Sequence, residues 1–412
     1  MHPPPLNPDS RVTLVFLAAL VALGPLSVDM YLPAMPAMQA AFNSDILQMH
    51  LTLSAYLWGF CVFHLACGPL ADRYGRRPLL LLGTACFVVA SAGCALSQTV
   101  EQLTLFRFVQ GLGACVGPTL ARTITRDVFG PRGAARALSI IAMMMALAPA
   151  IAPGMGGILL RWVAWPSVFV FLGLYGLMVL WIVFYRLPET LPMKQSLHPA
   201  QIGRNYLLLL RDPIFLPVAL GSALIYAALM AYIACSGFVF INMLGVPIEY
   251  FGLIFLTTVI GYVAGSAISA RLSLRRSPRD VLLGGGLLAV GACAAMLLMH
   301  IAMPSSVAAL VVPMTFFAAA MGLVFPHAMA MAMEHFPAIA ATNSALFGFL
   351  QMGLAALTTA GVGLALGTTP LPMIIIMLLL VVIAQGLFAI GWKRHSAMAP
   401  VTIQHRKRER TT

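Results

Sequence analysis

Charged residues are missing from several long segments of this 412-residue chain, and that pattern limits its fold more than any other feature. No Asp, Glu, Lys or Arg occurs in residues 12–28, 213–243 or 371–392. A helix needs about 20 predominantly apolar residues to cross the hydrocarbon core of a bilayer. Soluble domains carry about 25% charged residues, whereas this chain carries 9%. The sequence therefore predicts a protein that crosses a membrane many times.

Twelve apolar segments are long enough to cross. They are residues 12–40, 47–71, 78–98, 102–125, 135–160, 166–187, 213–243, 249–272, 279–301, 306–333, 339–366 and 371–392. Their apolar character is continuous rather than alternating every second residue, which favours helices over the strands of a membrane β-barrel. The first segment resembles a signal-peptide core, but eleven more follow it, so we interpret it as a retained span. We predict an all-α membrane protein with twelve transmembrane helices.

Basic residues lie mainly in the short connections between these segments. If both termini are cytoplasmic, 21 of the 24 Lys and Arg residues fall in cytoplasmic parts of the chain. Arg161 is then the one exception in an outside loop, while Arg107 and Arg122 lie within the fourth segment. This is the positive-inside pattern. It explains the net charge of +12 without a nucleic-acid partner and predicts that both termini are cytoplasmic.

The longest polar interval, residues 186–213, divides the chain into six segments plus six. Arg76-Arg77 after the second segment is echoed by Arg275-Arg276 after the eighth. We therefore predict two pseudo-symmetric six-helix halves with a substrate site between them near the membrane midplane. The predicted boundaries are a cytoplasmic tail 1–11, an N-terminal half 12–187, a cytoplasmic linker 188–212, a C-terminal half 213–392 and a basic cytoplasmic tail 393–412.

Asp29 lies inside the first apolar segment, whereas the other eleven acidic residues lie in loops, tails or segment ends. A charged side chain near the bilayer centre costs about 2.5–3.5 kcal/mol on insertion scales, so membrane acids are usually functional. Burial favours the protonated carboxyl group and a nearby cation favours the carboxylate, so a site between these influences can load and release protons. Pro25, Pro33 and Pro36 predict an irregular backbone around it. The alternative is a structural carboxylate that is permanently paired with an arginine.

The stretch "GPLADRYGRRP" follows the second segment. Gly68 allows close helix contact, Gly75 permits a tight turn, and Asp72 can accept hydrogen bonds from a helix N-terminus or an arginine. The stretch resembles the signature loop of the major facilitator superfamily, roughly G-x-L-A-D-x-x-G-R-R. The resemblance implies a loop that locks the outward-facing state by bridging helices on the cytoplasmic side. The matching residues that we assign to this gating loop are Gly68, Asp72, Arg73, Gly75, Arg76 and Arg77. The alternative is an ordinary basic loop.

The fourth segment contains "RFVQGLG", which resembles the R-x-x-Q-G-x-G pattern of proton-coupled members of that family. Arg122 follows Arg107 by fifteen residues, which is about 22 Å along a helix, so the two cations lie at different depths. We expect Arg107 near the outer end and Arg122 near the inner end. The residues expected to couple protons are Asp29, Arg107 and Arg122. For Arg122, snorkelling to the cytoplasmic interface is an equal alternative.

The fifth segment reads "MMMALAPAIAPGMGGILL". Proline removes a backbone donor and glycine permits close packing, so the helix is expected to bend. The block partly resembles the antiporter motif of drug-exporting facilitators, G-P-x-x-G-G, with its Gly-Pro order reversed. The antiporter-helix residues are Pro149, Pro153, Gly154, Gly156 and Gly157. A merely kinked helix is the alternative.

Three further stretches, "SVDMYLPAMP", "RDVFG" and "PETLP", together resemble the bicyclomycin/chloramphenicol-resistance branch of drug:proton antiporters. The resemblance implies a multidrug efflux transporter of the bacterial inner membrane that is driven by the proton gradient, needs no cofactor and acts as a monomer. Its partners would be protons, the lipid bilayer and small, mainly lipophilic antibiotics. The alternative is a proton-coupled facilitator for a metabolite or amino acid. An enzyme is disfavoured because no nucleophile or metal constellation occurs. No nucleotide-binding loop GxxxxGK[ST] is present, which argues against transport driven by ATP.

The drug pocket is harder to predict from sequence. The 25 methionines and 23 phenylalanines suit an adaptable apolar cavity, although most must face lipid or neighbouring helices. The residues expected to line it are Met30, Tyr31, Tyr56, Gln110, Asn242, Phe347 and Gln351. His64 and His327 also lie within spans. Each is either a hydrogen-bonded interior histidine or a second proton site.

Overall fold

The computed structural model describes residues 11–191, 199–334, 336 and 339–408. Most of the predicted N-terminal tail, part of the predicted linker and the last four residues lie outside this range. Within it, the chain forms thirteen α-helices and no strand. They are α1 Arg11–Asp29, α2 Met35–Phe42, α3 Ile46–Tyr74, α4 Arg76–Ala95, α5 Val100–Trp162, α6 Pro166–Arg186, α7 Pro199–Arg211, α8 Phe215–Ser236, α9 Phe251–Leu272, α10 Pro278–Ala302, α11 Ala308–Glu334, α12 Ala340–Ala365 and α13 Leu371–Arg408.

Ten helical segments of the described chain are long and apolar enough to cross a membrane. In addition, the helix α5 cannot be straight. Arg107 donates a hydrogen bond to the backbone oxygen of Ser27, and Gly156 packs against the backbone oxygen of Met30. A straight helix would hold residues 107 and 156 about 73 Å apart. The helix α5 therefore folds back on itself, and its two arms contain the fourth and fifth predicted segments.

The predicted gap between the fourth and fifth segments, at residues 126–134, is wrong at the level of the backbone. The chain stays helical from Val100 to Trp162 through the reversal. Helical hydrogen bonds join residues only four apart, so they persist on both sides of a bend. Pro149 and Pro153, which were expected to interrupt the fifth segment, also lie within continuous helix.

Side-chain caps set the starts of three long helices. The Asp45 side chain accepts from the backbone of Gln48, and the Gln48 side chain accepts in return from the backbone of Asp45, which forms a capping box at the start of α3. At the starts of α5 and α10, the side chains of Thr99 and Ser277 each accept one hydrogen bond from a backbone N–H group of the first turn. Asn43 ends α2 with a left-handed φ of 48°. These polar residues therefore make sharp turns between apolar helices.

The crossing helices divide into two halves. In the N-terminal half, α5 packs against α1, α3 and α4, and α4 packs against α6. In the C-terminal half, α8 packs against α12 and α13, while α11 packs against α9 and α10. Contacts between α3 and α12 and between α5 and α9 join the halves. A substrate site between two such halves is the arrangement expected of a transporter.

The two ends of the bundle differ in charge. We call the end with residues 72–77, 186, 204–211 and 271–279 the arginine-rich end, and the end with residues 43–45, 163–165, 244–250 and 366–370 the arginine-poor end. At the arginine-rich end, the interval predicted as a simple linker contains the helix α7, which packs against α8 and α12. The helix α13 continues to Arg408, past the predicted boundary at 392. Both differences add helix where polar residues suggested irregular chain.

Candidate proton and substrate site

Asp29 occupies a break in the first crossing. The helix α1 ends at Asp29, and after Met30 and Tyr31 the chain forms a short 3-10 turn, Leu32–Ala34, before α2 begins. The predicted irregular backbone is therefore present at this position. The Asp29 side chain is buried, with 4% of the residue exposed. The break thus holds a carboxyl group inside the bundle at the end of a helix.

The surroundings of Asp29 come from both halves. Asp29 interacts electrostatically with Tyr56 of α3 and with Tyr226 of α8. Among the described residues no arginine or lysine forms an ion pair with it. A permanent Asp–Arg pair, the structural alternative raised by the sequence, is therefore absent from this part of the chain. Asp29 lies where the N-terminal half faces the C-terminal half.

Arg107 is fully buried beside this break, but aromatic rings surround it instead of carboxylates. Its guanidinium carbon lies 4.4 Å from the ring centre of Tyr31 and 4.3 Å from that of Tyr56. Its Nη1 donates to the backbone oxygen of Ser27 at 3.2 Å and to Oε1 of Gln110 at 2.6 Å. Cation–π contacts of a desolvated arginine are worth about 2 kcal/mol. The rings and the two oxygens therefore stabilise the charge.

Further hydrogen bonds extend this network over four helices. Nε2 of Gln110 donates to Oγ of Ser91 on α4 at 2.8 Å, and the Tyr56 hydroxyl donates to the backbone oxygen of Gly24 on α1 at 3.2 Å. The Tyr31 hydroxyl shares a hydrogen bond with Oγ1 of Thr52 on α3. Arg107 thus anchors the break in α1 to α3, α4 and α5.

The three residues expected to couple protons are not gathered in one place. Arg107 reaches Ser27, two residues from Asp29, without pairing with the carboxylate. Arg122 is exposed and interacts electrostatically with His64. Both arginines lie on the same helix, α5, fifteen residues apart. Asp29 and Arg107 are therefore neighbours, and Arg122 belongs to another site.

The interior histidines have hydrogen-bond partners. Nδ1 of His64 lies 3.5 Å from Sγ of Cys115 and 3.4 Å from Oγ1 of Thr119. His327 has its Nδ1 at 2.8 Å from the backbone oxygen of Leu323 and its Nε2 at 3.0 Å from Oγ of Ser273. Both arrangements fit the alternative of hydrogen-bonded interior histidines. No group of three or more potential metal ligands occurs among the residues described.

The predicted pocket residues fall into three groups. Four of them, Met30, Tyr31, Tyr56 and Gln110, are buried around the break and Arg107. Phe347 is buried in α12, and Gln351 one turn later donates to Oγ of Ser222 at 3.4 Å. Asn242 lies apart from both groups, because a π-helical turn, Gly237–Met243, leaves this residue exposed at the arginine-poor end. Hydrogen bonds five residues apart widen this turn and change the direction of its side chains.

Tyr226 is the pocket residue that the sequence did not reveal. It is half-buried on α8, it interacts electrostatically with Asp29, and its ring centre lies 6.2 Å from that of Phe325 on α11. The sequence did contain one hint of this role, a tyrosine hydroxyl in an otherwise apolar segment, because buried hydroxyls need polar partners. Tyr226 supplies the C-terminal side of the site.

Gly75 makes the tight turn predicted for the gating loop. Its φ of 108° lies in a region that side-chain-bearing residues avoid. This turn presents the backbone N–H groups of Arg76 and Arg77 to the carboxylate of Glu189, at 3.0 and 3.2 Å. Glu189 also accepts from its neighbours Thr190 and Leu191. A carboxylate thus caps α4 from the segment after α6, and the "PETLP" stretch supplies it.

The arginines of this loop bind other parts of the N-terminal half. Arg76 forms an ion pair with Asp127 and interacts electrostatically with Asp72. Nη2 of Arg77 donates to the backbone oxygen of Phe184 at 2.7 Å. The exposed Arg73 guanidinium lies 5.3 Å from the ring centre of Tyr74.

These contacts, where the structure describes them, stay within the N-terminal half. The expected close helix contact at Gly68 is wrong, since no atom lies within 4 Å of a Cβ placed there. The loop therefore fastens α4 to α5 and α6.

Three glycines of the predicted antiporter helix lie at close contacts near the arginine-poor end. Gly154 packs on the backbone of Gly252 in α9, and Gly157 packs on the backbone oxygen of Ile248. Gly156 faces the break after Asp29, as described above. A surface ion pair, Arg161 with Glu249 at 3.6 Å, lies beside them. The small residues thus let α5 contact both the broken first crossing and the other half.

The fold and this site define a helical membrane transporter with two six-helix halves around a buried carboxyl group. Residues 17–359 match the family model of the Major Facilitator Superfamily. The chain belongs to the Major Facilitator Superfamily, whose members are transporters rather than enzymes.

Relatives agree with this assignment. The uncharacterized MFS-type transporter YdgK of Bacillus subtilis (strain 168) is 32% identical over 384 residues, covering 92% of this chain and 95% of that protein. The bicyclomycin resistance protein homolog of Haemophilus influenzae is 26% identical over 386 residues, covering 91% and 96%. The multidrug resistance protein MdtL of Escherichia coli is 36% identical over 179 residues, covering 43% and 46%. The resemblance to the bicyclomycin-resistance branch is thereby confirmed.

Solved structures support the fold alone. The nucleoside transporter NupG superposes with a TM-score of 0.73 at 12% identity, covering 92% of this chain and 99% of that chain. The D-xylose–proton symporter gives a TM-score of 0.69 at 14% identity, covering 92% and 97%. The predicted all-α architecture is confirmed.

Proposed function

We propose that this protein is a proton-driven multidrug efflux transporter that exports small, mainly lipophilic antibiotics by alternating access. In this proposal it works as a monomer in the bacterial inner membrane, with both termini cytoplasmic, and it draws on the proton gradient without a cofactor. The names of two relatives, a bicyclomycin resistance protein homolog and a multidrug resistance protein, support drugs as the cargo.

The observation that carries the proposal is the environment of Asp29. A buried carboxyl group with no cationic partner among the described residues is not held permanently in the charged form. It lies where α1 ends and interacts electrostatically with Tyr226 of the opposite half. When two halves rock, a group between them meets water from one side and then from the other. In the proposed cycle, Asp29 therefore exchanges a proton with each side in turn.

The proposed cycle couples this exchange to the cargo. Protonation of Asp29 from outside lowers the affinity for a bound drug and releases it outward, and deprotonation toward the cytoplasm restores the affinity. A proton that moves inward gains about 2.3 kcal/mol per 100 mV of membrane potential. Since about 1.4 kcal/mol corresponds to a tenfold ratio, one proton supports a concentration ratio of between one and two decades.

Arg107 has a positioning role in this proposal. Its bonds to Ser27 and Gln110 and its contacts with Tyr31 and Tyr56 hold the end of α1 while leaving the carboxylate free. The gating loop and the α5 glycines are proposed to set which side is open. The loop lies at the arginine-rich end and the glycines lie near the opposite end, as a two-gate cycle requires.

Inside-out membrane vesicles test the proposal. Respiration acidifies their interior, and a drug:proton antiporter then releases protons when drug is added. We expect bicyclomycin or chloramphenicol to dissipate the pH gradient in vesicles with the wild-type protein and not with Asp29→Asn. A matched Asp45→Asn variant, which changes an acid at a surface cap, should behave as wild type. If amino acids or sugars dissipate the gradient and a panel of antibiotics does not, the cargo is a metabolite and drug efflux is contradicted.

A further inference from the structure

The linker helix α7 carries a groove that the transport cycle does not use. The groove has a volume of about 430 Å³, and its walls include Arg204, Leu207, Leu208 and Arg211. These four positions follow the spacing i, i+3, i+4 and i+7, so they form one stripe along the helix. All four are exposed, Leu207 at 47% and Leu208 at 51%. The stripe therefore carries a cation at each end and apolar side chains in the middle.

Packing fixes the depth of α7 relative to the membrane. The Tyr206 hydroxyl donates to the backbone oxygen of Leu65 in α3 at 3.2 Å, and Leu209 is fully buried. Leu65 lies nineteen residues beyond the start of α3, which is about 28 Å along the helix. The hydrocarbon core of a bilayer is about 30 Å thick. The helix α7 therefore lies at the level where acyl chains meet headgroups.

The charges in the groove lack a strong internal partner. Asp212 also lines it, but its Oδ1 already accepts the backbone N–H groups of Ile214 and Phe215, at 3.0 and 2.5 Å, at the start of α8. Among the described residues neither Arg204 nor Arg211 forms an ion pair. Two exposed arginines two turns apart thus lie at headgroup depth, one on each side of two exposed leucines.

We propose that this groove binds an anionic phospholipid of the membrane leaflet at the arginine-rich end. The guanidinium groups would take the headgroup phosphate, since arginine forms paired hydrogen bonds with phosphate oxygens. Leu207 and Leu208 would contact the upper acyl chains. Because α7 is joined to α3 of one half and packs on α8 and α12 of the other, the lipid would sit where the halves meet.

The test measures lipid binding without drug or proton gradient, so its outcome is independent of the proposed transport function. Full-length protein in detergent is titrated with dioleoyl phosphatidylglycerol or dioleoyl phosphatidylcholine, and bound lipid is counted by native mass spectrometry. We expect tighter binding of phosphatidylglycerol, and roughly 30-fold weaker binding for Arg204→Gln/Arg211→Gln, from the contribution of two surface arginines. Arg204→Lys/Arg211→Lys should keep most of the preference.

A matched control removes two exposed arginines elsewhere at the same end, Arg271→Gln/Arg275→Gln, and should change binding less than twofold. The proposal is overturned if the α7 variant binds phosphatidylglycerol like wild type, or if the control loses as much affinity. It is also overturned if inorganic phosphate displaces the lipid at equal concentration, because the groove would then be a simple anion site. Size-exclusion elution and circular dichroism verify that each variant is folded.

Discussion

Arg107 shows how a buried charge is retained without a salt bridge. An isolated cation in the interior of a membrane protein is costly, yet this one is fully buried and its Nε and Nη2 have no hydrogen-bond partner. The faces of Tyr31 and Tyr56 and the oxygens of Ser27 and Gln110 compensate it. If the carboxylate of Asp29 compensated the charge of Arg107 instead, the ion pair would hold Asp29 in its charged form. The aromatic cage therefore keeps Arg107 and Asp29 chemically independent.

Replacement of Arg107 by lysine is expected to destabilise the protein although the charge is kept. The flat guanidinium stacks on two rings and bonds to two oxygens, whereas an ammonium group satisfies only part of this geometry. We expect a loss of about 2–3 kcal/mol, the size of a desolvated cation–π contact plus a charged hydrogen bond. Thermal melting of the purified protein measures it. Arg271→Lys, at an exposed position, should melt like wild type, and equal melting of the two variants would contradict the cage.

Glu189 shows how a single acid organises an element far from it in sequence. Its carboxylate accepts the N–H groups of Arg76 and Arg77 at the positive end of α4, across more than a hundred residues. The left-handed turn at Gly75 exposes those two donors. The loop and the "PETLP" stretch are separate features of the sequence, and only the fold joins them.

The Glu189→Ala variant should lower the free energy of unfolding by about 0.5–2 kcal/mol, as the loss of a helix cap does. Glu189→Gln, which keeps one acceptor oxygen, should lose less. The comparison is Glu101→Ala, which removes an exposed acid from the first turn of α5 and should cost only a few tenths of a kcal/mol. Melting curves in one detergent rank the three variants. A Glu101→Ala loss as large as that of Glu189→Ala would show that the capping contact is unimportant.

The contact between α5 and α9 depends on the absence of side chains at Gly154, Gly157 and Gly252. A Cβ at position 157 would lie 2.6 Å from the backbone oxygen of Ile248, so the helices must separate to accept it. The neighbouring ion pair of Arg161 and Glu249 is largely exposed, with 57% and 40% of the side chains accessible, and such pairs contribute at most about 1 kcal/mol. Backbone contact rather than charge therefore holds α5 against the start of α9.

A Gly157→Ala variant should separate α5 from the start of α9. We expect less disulfide cross-linking between cysteines placed at positions 161 and 249, and an overpacking cost of about 1–3 kcal/mol. Gly361→Ala in α12, where a Cβ meets no atom within 4 Å, should leave the cross-linking unchanged. Equal cross-linking in the two variants would mean that the glycines do not set the helix separation.

For the molecule as a whole, sequence predicted what depends on composition and local spacing. Apolar length predicted an all-α membrane fold, and the prolines that flank the lone membrane acid predicted where the first crossing is irregular. Sequence missed what depends on long-range packing. Nothing local shows that Glu189 caps α4, that Tyr226 interacts with Asp29 or that a π-helical turn exposes Asn242. The four leucines 207–210 were available in the sequence, but their polar flanks concealed α7.

The rocking cycle proposed for the two halves depends on Asp29 more than on any other group. Its most direct test compares two assays on the same proteoliposomes with wild-type protein and Asp29→Asn. The first measures uphill drug movement driven by an imposed pH gradient, and the second measures exchange of labelled for unlabelled drug without a gradient. We predict that Asp29→Asn keeps exchange, because the halves still rock, and loses uphill movement, because no proton is carried. Uphill movement by Asp29→Asn at the wild-type rate would contradict the mechanism.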